Sequence, residues 1–207
     1  MFITFEGLDF CGKSTQVKLL QAKLETMGQK VVLIREPGGT AIAEKIREIL
    51  LDKKNSEMTV ETELLLFSAS RAQLVREKII PLLQQGYFVI SDRFHDSSIA
   101  YQGYGRGINL NSVMEIQNFA IGKAIPDITF FIDLPLDEIA KRREKFGKKN
   151  LDRIELSQND FYSRVRAGYM EMSKKEKRFI IINGTNSIND IHKQIMSIIE
   201  KRVSNNE

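Results

Sequence analysis

The sequence predicts an α/β fold in which a five-stranded parallel sheet is covered by helices on both faces. Three observations carry that expectation. Short, continuous apolar runs alternate with helical patterns along the chain, as in sheets buried on both sides. The 207 residues suffice for a full α/β core. Glycine and charge collect directly after the apolar runs, where open α/β sheets bind ligands.

The elements follow in order. Residues 2–6, an apolar run closed by Gly7, read as the first strand. Val17, Leu19, Leu20 and Leu24 give 13–27 a helical pattern that stops at Gly28. Residues 31–34 are the second strand, followed by helices over 41–51 and 61–85, the latter interrupted near Pro81. The third, fourth and fifth strands fall at 87–90, 128–132 and 179–182, and 188–203 is a closing helix. No repeat, low-complexity stretch or linker divides the chain, so 1–207 reads as a single domain.

Composition bounds the function. Apolar content of 42% and charged content of 28% are ordinary for a globular protein. No apolar run reaches the ~18 residues of a membrane span, and 1–6 do not resemble a signal peptide. One cysteine excludes an internal disulfide and a thiolate zinc site. A cytoplasmic protein with no membrane partner is expected. Lys and Arg number 31 against 27 acids, a net +4, which suits nucleic acid or an anionic small molecule alike.

Residues 7–14 fit G-x-x-x-x-G-K-[ST] between a strand and a helix, which predicts a three-layer P-loop NTPase fold. In such a loop backbone amides face the phosphates, Lys13 reaches the β and γ groups, and Ser14 can ligate Mg²⁺. The nucleotide-binding stretch is Gly7, Leu8, Asp9, Phe10, Cys11, Gly12, Lys13, Ser14 and Thr15. A carboxylate must complete the metal site, and two apolar runs end in one, at Asp92 and Asp133. Asp92 is favoured because Arg93 follows. No N-K-x-D guanine-reading segment is present, and the scattered arginines point to a kinase with a phosphorylated acceptor. His95 and His192 attract no role, Asp96 reads as a cap or surface residue, and Cys11 would be open to oxidation if exposed.

Five ordered blocks then resemble the thymidylate kinase family of the bacterial type: FEGLD-x-x-GKSTQ at 5–16, REPGGT at 35–40, LLLFSASRAQL at 64–74, DRFHDSSIAYQGYGRG at 92–107 and LDRIE at 151–155. The resemblance implies ATP- and Mg²⁺-dependent phosphorylation of dTMP to dTDP by a homodimer that takes no nucleic acid. It implies that Phe67 stacks on thymine and Arg71 hydrogen-bonds the base, with Ser98 and Gln102 near it and Tyr101 pressing on the 2′ position. Asp9 matches the acid that holds the 3′-hydroxyl. Arg93 and Arg47 match arginines that grip the acceptor phosphate, with Glu36 in the turn beside it. Residues 142–155, rich in Lys and Arg, match a lid that brings an arginine to the transferring group; Arg153 and Arg142 match best. Phe10 stands where some members carry an arginine, so that duty passes to the lid. Other nucleoside monophosphate kinases, or a catalytically silent P-loop binding module, are the alternatives.

Overall fold

The structure, a computed structural model, describes residues 1–146, 151–154 and 159–204. Five parallel strands lie in the order β2-β3-β1-β4-β5: β1 Phe2–Glu6, β2 Val31–Arg35, β3 Phe88–Asp92, β4 Ile128–Asp133 and β5 Phe179–Asn183. Each expected strand is present, shifted by a residue or two at its ends. The register pairs Phe5 with Asp92 and Phe130. The carboxyl ends of β1, β3 and β4 therefore lie side by side.

Alternation along β1 divides the core. Ile3 and Phe5 join a buried cluster with Leu20 and Leu24 of α1 (Lys13–Thr26) and Ile195 and Ile199 of α9 (Ile188–Ser204). Phe2 joins a second cluster with Leu74, Val75 and Ile121. That second face carries α3 (Val60–Leu74), a π-helical turn at Val75–Ile79, α4 (Ile80–Gln84) and α6 (Leu110–Ile121). The interruption read at Pro81 takes this form: the wider turn ahead of the proline relieves the clash its ring would make in a regular helix. A second π-helical stretch, Ile99–Gly105, follows the short α5 (His95–Ser98). Neither stretch was legible in the sequence. The remaining helices are α2 (Ala41–Leu51), α7 (Leu136–Phe146) and α8 (Asn159–Lys175).

The Thr59 and Thr40 side chains accept N-terminal amides of α3 and α2, which fixes where both helices begin. Thr4 and Glu6 sit on the same side of β1 as Phe2, beneath α5 and α8, so that this sheet face is partly polar. Thr4 Oγ1 lies 2.8 Å from Thr129 Oγ1.

Candidate active site

A continuous cavity of about 400 Å³ lies over the carboxyl ends of β1, β2 and β3. Its first end is the loop between β1 and α1. Gly7 is held at φ 140°, and a Cβ there would stand 2.6 Å from the Ile132 carbonyl, so only glycine fits. Gly12, at φ 103°, starts α1. Lys13 is buried and donates from Nζ to the carbonyls of Gly7 (3.1 Å) and Leu8 (2.8 Å). Ser14 Oγ donates to Asp92 Oδ2 at 2.6 Å. A hydroxyl and a carboxylate adjacent at the loop are the hard oxygen donors that Mg²⁺ takes, with phosphate and water filling its remaining positions. Asp133 does not share that place: Arg166 holds both of its oxygens, at 2.6 and 2.8 Å.

Arg93 joins the loop to the rest of the cavity. Its backbone is left-handed (φ 72°), a strained conformation that needs support from its surroundings. Nη1 donates to Gly7 O (3.0 Å) and Ser97 Oγ (3.1 Å), and Nη2 to Asp9 Oδ1 (2.5 Å) and Tyr101 Oη (3.0 Å). Tyr101 in turn donates to Asp9 Oδ2 at 3.1 Å. Burial pushes the Asp9 carboxyl up, but the Arg93 and Lys13 charges outweigh it and hold it below the usual range. The group is therefore a carboxylate at neutral pH.

The second end of the cavity is lined by Glu36, Arg47, Phe67, Arg71, Ser98, Tyr101 and Gln102. Phe67 and Arg71 share one face of α3, as their spacing requires. The small residues around Arg71 make room for protein partners: Nε donates to Glu36 Oε2 (2.7 Å), Nη1 to Ser98 Oγ (2.9 Å) and to Gln117, and Nη2 to Phe94 O (3.1 Å). Burial raises the Glu36 carboxyl, and Arg71 offsets part of that rise. Glu36 Oε1 is buried without a hydrogen-bond partner. Arg47 Nη1 donates to Pro37 O at 2.9 Å.

The two arginines read from the sequence as lid residues part company. Arg142 Nη1 donates to Phe10 O (3.1 Å) and lies beside Gly12, directly over the loop. Arg153 turns away from it: Nε donates to Leu50 O (2.8 Å), and Nη2 lies 2.6 Å from Glu63 Oε2 in an ion pair without hydrogen-bond alignment. Residues 147–150 and 155, also within the lid as read from sequence, lie outside the described residues.

Two readings of single residues are corrected. Asp96 is neither a cap nor a surface residue; it is buried and takes both ends of Arg178 at 2.7 Å. Cys11 is buried beneath Lys13, so exposure to oxidants does not follow. The sequence reading also passed over Glu6, Glu63, Arg106 and Gln117. Glu63, buried on α3, accepts from Gln102 Nε2 (2.9 Å) and Arg106 Nε (3.2 Å) and pairs with Arg153. Burial raises its carboxyl, yet Arg106, Gln102 and Arg153 leave it below the usual range. The available signal was a charge inside an otherwise apolar stripe, as in FITFE and TELLLF.

A family model described as thymidylate kinase matches residues 5–195. The chain belongs to the thymidylate kinase family. It is 52% identical to the thymidylate kinase of Thermosipho africanus over 203 residues, 98% of this chain and 99% of that one. To the thymidylate kinase of Kosmotoga olearia it is 50% identical over 197 residues, 95% and 93% of the two chains. Among solved structures, the thymidylate kinase from Ehrlichia chaffeensis superposes with a TM-score of 0.78 at 37% identity, covering 97% of this chain and 98% of that one. Membership of the thymidylate kinase family bears out the resemblance carried by the five sequence blocks and the P-loop α/β fold read from the apolar runs and residues 7–14. No helix among the described residues is long and apolar enough to cross a membrane.

Proposed function

We propose that this chain, a phosphotransferase of the thymidylate kinase family, moves the γ-phosphoryl group of ATP to dTMP and releases dTDP. The observation that carries the reading is the position of Arg93. One guanidinium contacts the carbonyl of Gly7 in the phosphate loop and, on its other nitrogen, Asp9 and Tyr101 of the acceptor end. Two anions brought to the two ends of this cavity would meet across it.

In this reading the loop amides and Lys13 hold the β and γ phosphates, and Lys13 exchanges its carbonyl partners for phosphate oxygens. Ser14 and Asp92 hold Mg²⁺, which supplies charge neutralisation on the transferring group. Arg93 and Arg47 grip the acceptor phosphate, with Glu36 beside it, and Asp9 accepts from the 3′-hydroxyl. Phe67 stacks on thymine, while Arg71, Ser98 and Gln102 bound its polar edge. Tyr101, held by Asp9 and Arg93, forms a fixed wall that leaves a 2′-hydroxyl no room. The acceptor is an ionised phosphate oxygen, so no general base is needed. Arg142, already over the loop, is the lid arginine best placed for the transferring group. Residues 1–207 act as one kinase domain with a lid over 142–155, in the cytoplasm.

Homodimerisation is part of the same reading. It is supported by an apolar surface on α6 and the turn after it, where Phe119 is 81% and Ile125 60% exposed. ADP production from MgATP across a panel of nucleoside monophosphates tests the function. A marked preference for dTMP over dUMP and over the ribonucleotide is expected. The methyl group alone accounts for only about 1–3 kcal/mol of that discrimination. Equal rates on all acceptors would remove the assignment of residues 64–102, and no transfer at all would leave a binding module.

A further inference from the structure

We propose that Glu6, the last residue of β1, is a positioning residue that sets Arg93 from beneath, so that the strand feeding the phosphate loop also fixes the acceptor arginine. The inference rests on the reading in which Arg93 grips the acceptor phosphate.

Glu6 is wholly buried, and both of its oxygens are committed to the segment that carries Arg93. Oε1 accepts the amide of Phe94 at 2.7 Å, the first amide after the left-handed Arg93. Oε2 accepts the Ser97 hydroxyl at 2.6 Å and the Tyr169 hydroxyl at 2.7 Å. Ser97 gives its one proton to Glu6, which leaves a lone pair for Arg93 Nη1 at 3.1 Å. Carboxylate, hydroxyl and guanidinium thus form a polarised relay, with each hydrogen bond strengthening the next. Ser91 Oγ donates to the Arg93 carbonyl at 2.6 Å, so the strained residue is pinned at its carbonyl, at the amide that follows and at its guanidinium. Glu6 itself touches neither the cavity nor any group placed against substrate. Ser97, which it bonds, gives it a direct route to Arg93, and the Phe94 segment, whose carbonyl accepts Arg71, a second and longer one.

The test compares Glu6→Gln, Ser97→Ala and Tyr169→Phe with the unaltered enzyme, measuring KM for dTMP and for ATP, kcat, and dTMP binding by calorimetry. Glu6→Gln keeps the shape but reverses the donor sense of one end, and is expected to raise KM and Kd for dTMP about tenfold with KM for ATP within about twofold. Ser97→Ala removes only the relay atom and should give a smaller rise of the same kind. In the double variant the two effects should be less than multiplicative, because both act through one contact. Tyr169→Phe takes a hydroxyl from Glu6 and from beside Ser97 Oγ (2.9 Å) but none from Arg93, so dTMP binding should change less than in Ser97→Ala. Should Glu6→Gln fail to fold, Ser97→Ala decides alone, and unchanged dTMP binding in it overturns the proposal. So does an equal rise in both KM values, which would mark general loosening of the loop. Arg93→Ala separates the premises: lost dTMP binding there with no effect of Glu6→Gln rejects the relay, whereas undisturbed dTMP turnover rejects the placement of Arg93.

Discussion

The phosphate loop draws its working groups from consecutive residues, most of them backbone amides, whereas the acceptor end gathers side chains from α2, α3, the turn after β2, α5 and the π-helical stretch behind it. Their charges are handled differently as well. At the acceptor end arginines are matched to acids: Arg71 to Glu36 in a fully buried pair, the partly buried Arg93 to the partly buried Asp9, and the partly buried Arg153 to the buried Glu63. Ion pairs on the outer helices, such as Lys141–Glu138 and Lys174–Glu171, are exposed, and solvent screening leaves them little weight. Breaking a buried pair by removing one partner costs about 3–5 kcal/mol, because it strands a charge. The loop is therefore tolerant in side chains and strict in backbone, and the acceptor wall is the reverse.

The largest effect should come from a side chain of the loop. Lys13→Ala is expected to lower kcat about 10³-fold with little change in thermal melting, since Lys13 bonds only within its own loop, to two carbonyls and the Cys11 sulfur. Steady-state kinetics with near-normal kcat would break the contrast at once. Arg142→Ala should also act on kcat, by about 10²-fold or more.

This difference decides what the sequence revealed. The loop, all five strands and the nearness of Ser14 to Asp92 were legible because each is a local pattern: a spacing, an apolar run, an acid at its end. Phe67 and Arg71 were legible as a pair through helical spacing. Glu63 and Glu6 were not, since a carboxylate in an apolar run acquires meaning only when distant partners arrive, as Arg106 and Arg153 do for Glu63. The turn of Arg153 away from the loop was equally hidden. A basic segment rich in arginine does not say which one finds a buried acid.

Glu6 gives a pH signature that a loop residue would not. Burial, with Asp96 nearby, pushes its carboxyl up to about 7 from an ordinary 4.5. Below about pH 7 the native state therefore retains a proton that the unfolded chain has already released, and the carboxylate that accepts the three hydrogen bonds is the form above it. The associated stability is complete below the unfolded value and is lost as pH rises through the native one. At about 1.4 kcal/mol per pH unit, the loss is at most roughly 3 kcal/mol. Denaturant unfolding at pH 5 and 8 should show Glu6→Gln gaining on the unaltered protein at the higher pH. Parallel pH dependence in the two proteins would place the Glu6 carboxyl in the ordinary range.

Arg153→Ala sharpens the contrast between the arginines. Glu63 keeps Arg106 and Gln102, so the loss should be below that for a fully stranded charge, about 2 kcal/mol of stability. KM for dTMP should rise through Gln102, and kcat should fall less than in Arg142→Ala. A selective kcat defect as large as that of Arg142→Ala would return Arg153 to the transferring phosphoryl group.

The smallest effect tests the wall itself. Phe67 is only partly buried, at the edge of the main core cluster, and it lines the cavity beside Arg71. If its ring served the core, Phe67→Ala would cost stability and move both substrates' KM values together. A half-buried ring at a cavity edge loses little packing when truncated. A stacked base, by contrast, loses about 1–3 kcal/mol. The expected outcome is a rise of about tenfold in KM for dTMP, unchanged KM for ATP, and a melting temperature within a few degrees of the unaltered protein. Equal shifts for both substrates would assign Phe67 to the core and leave base recognition to the polar groups around Arg71.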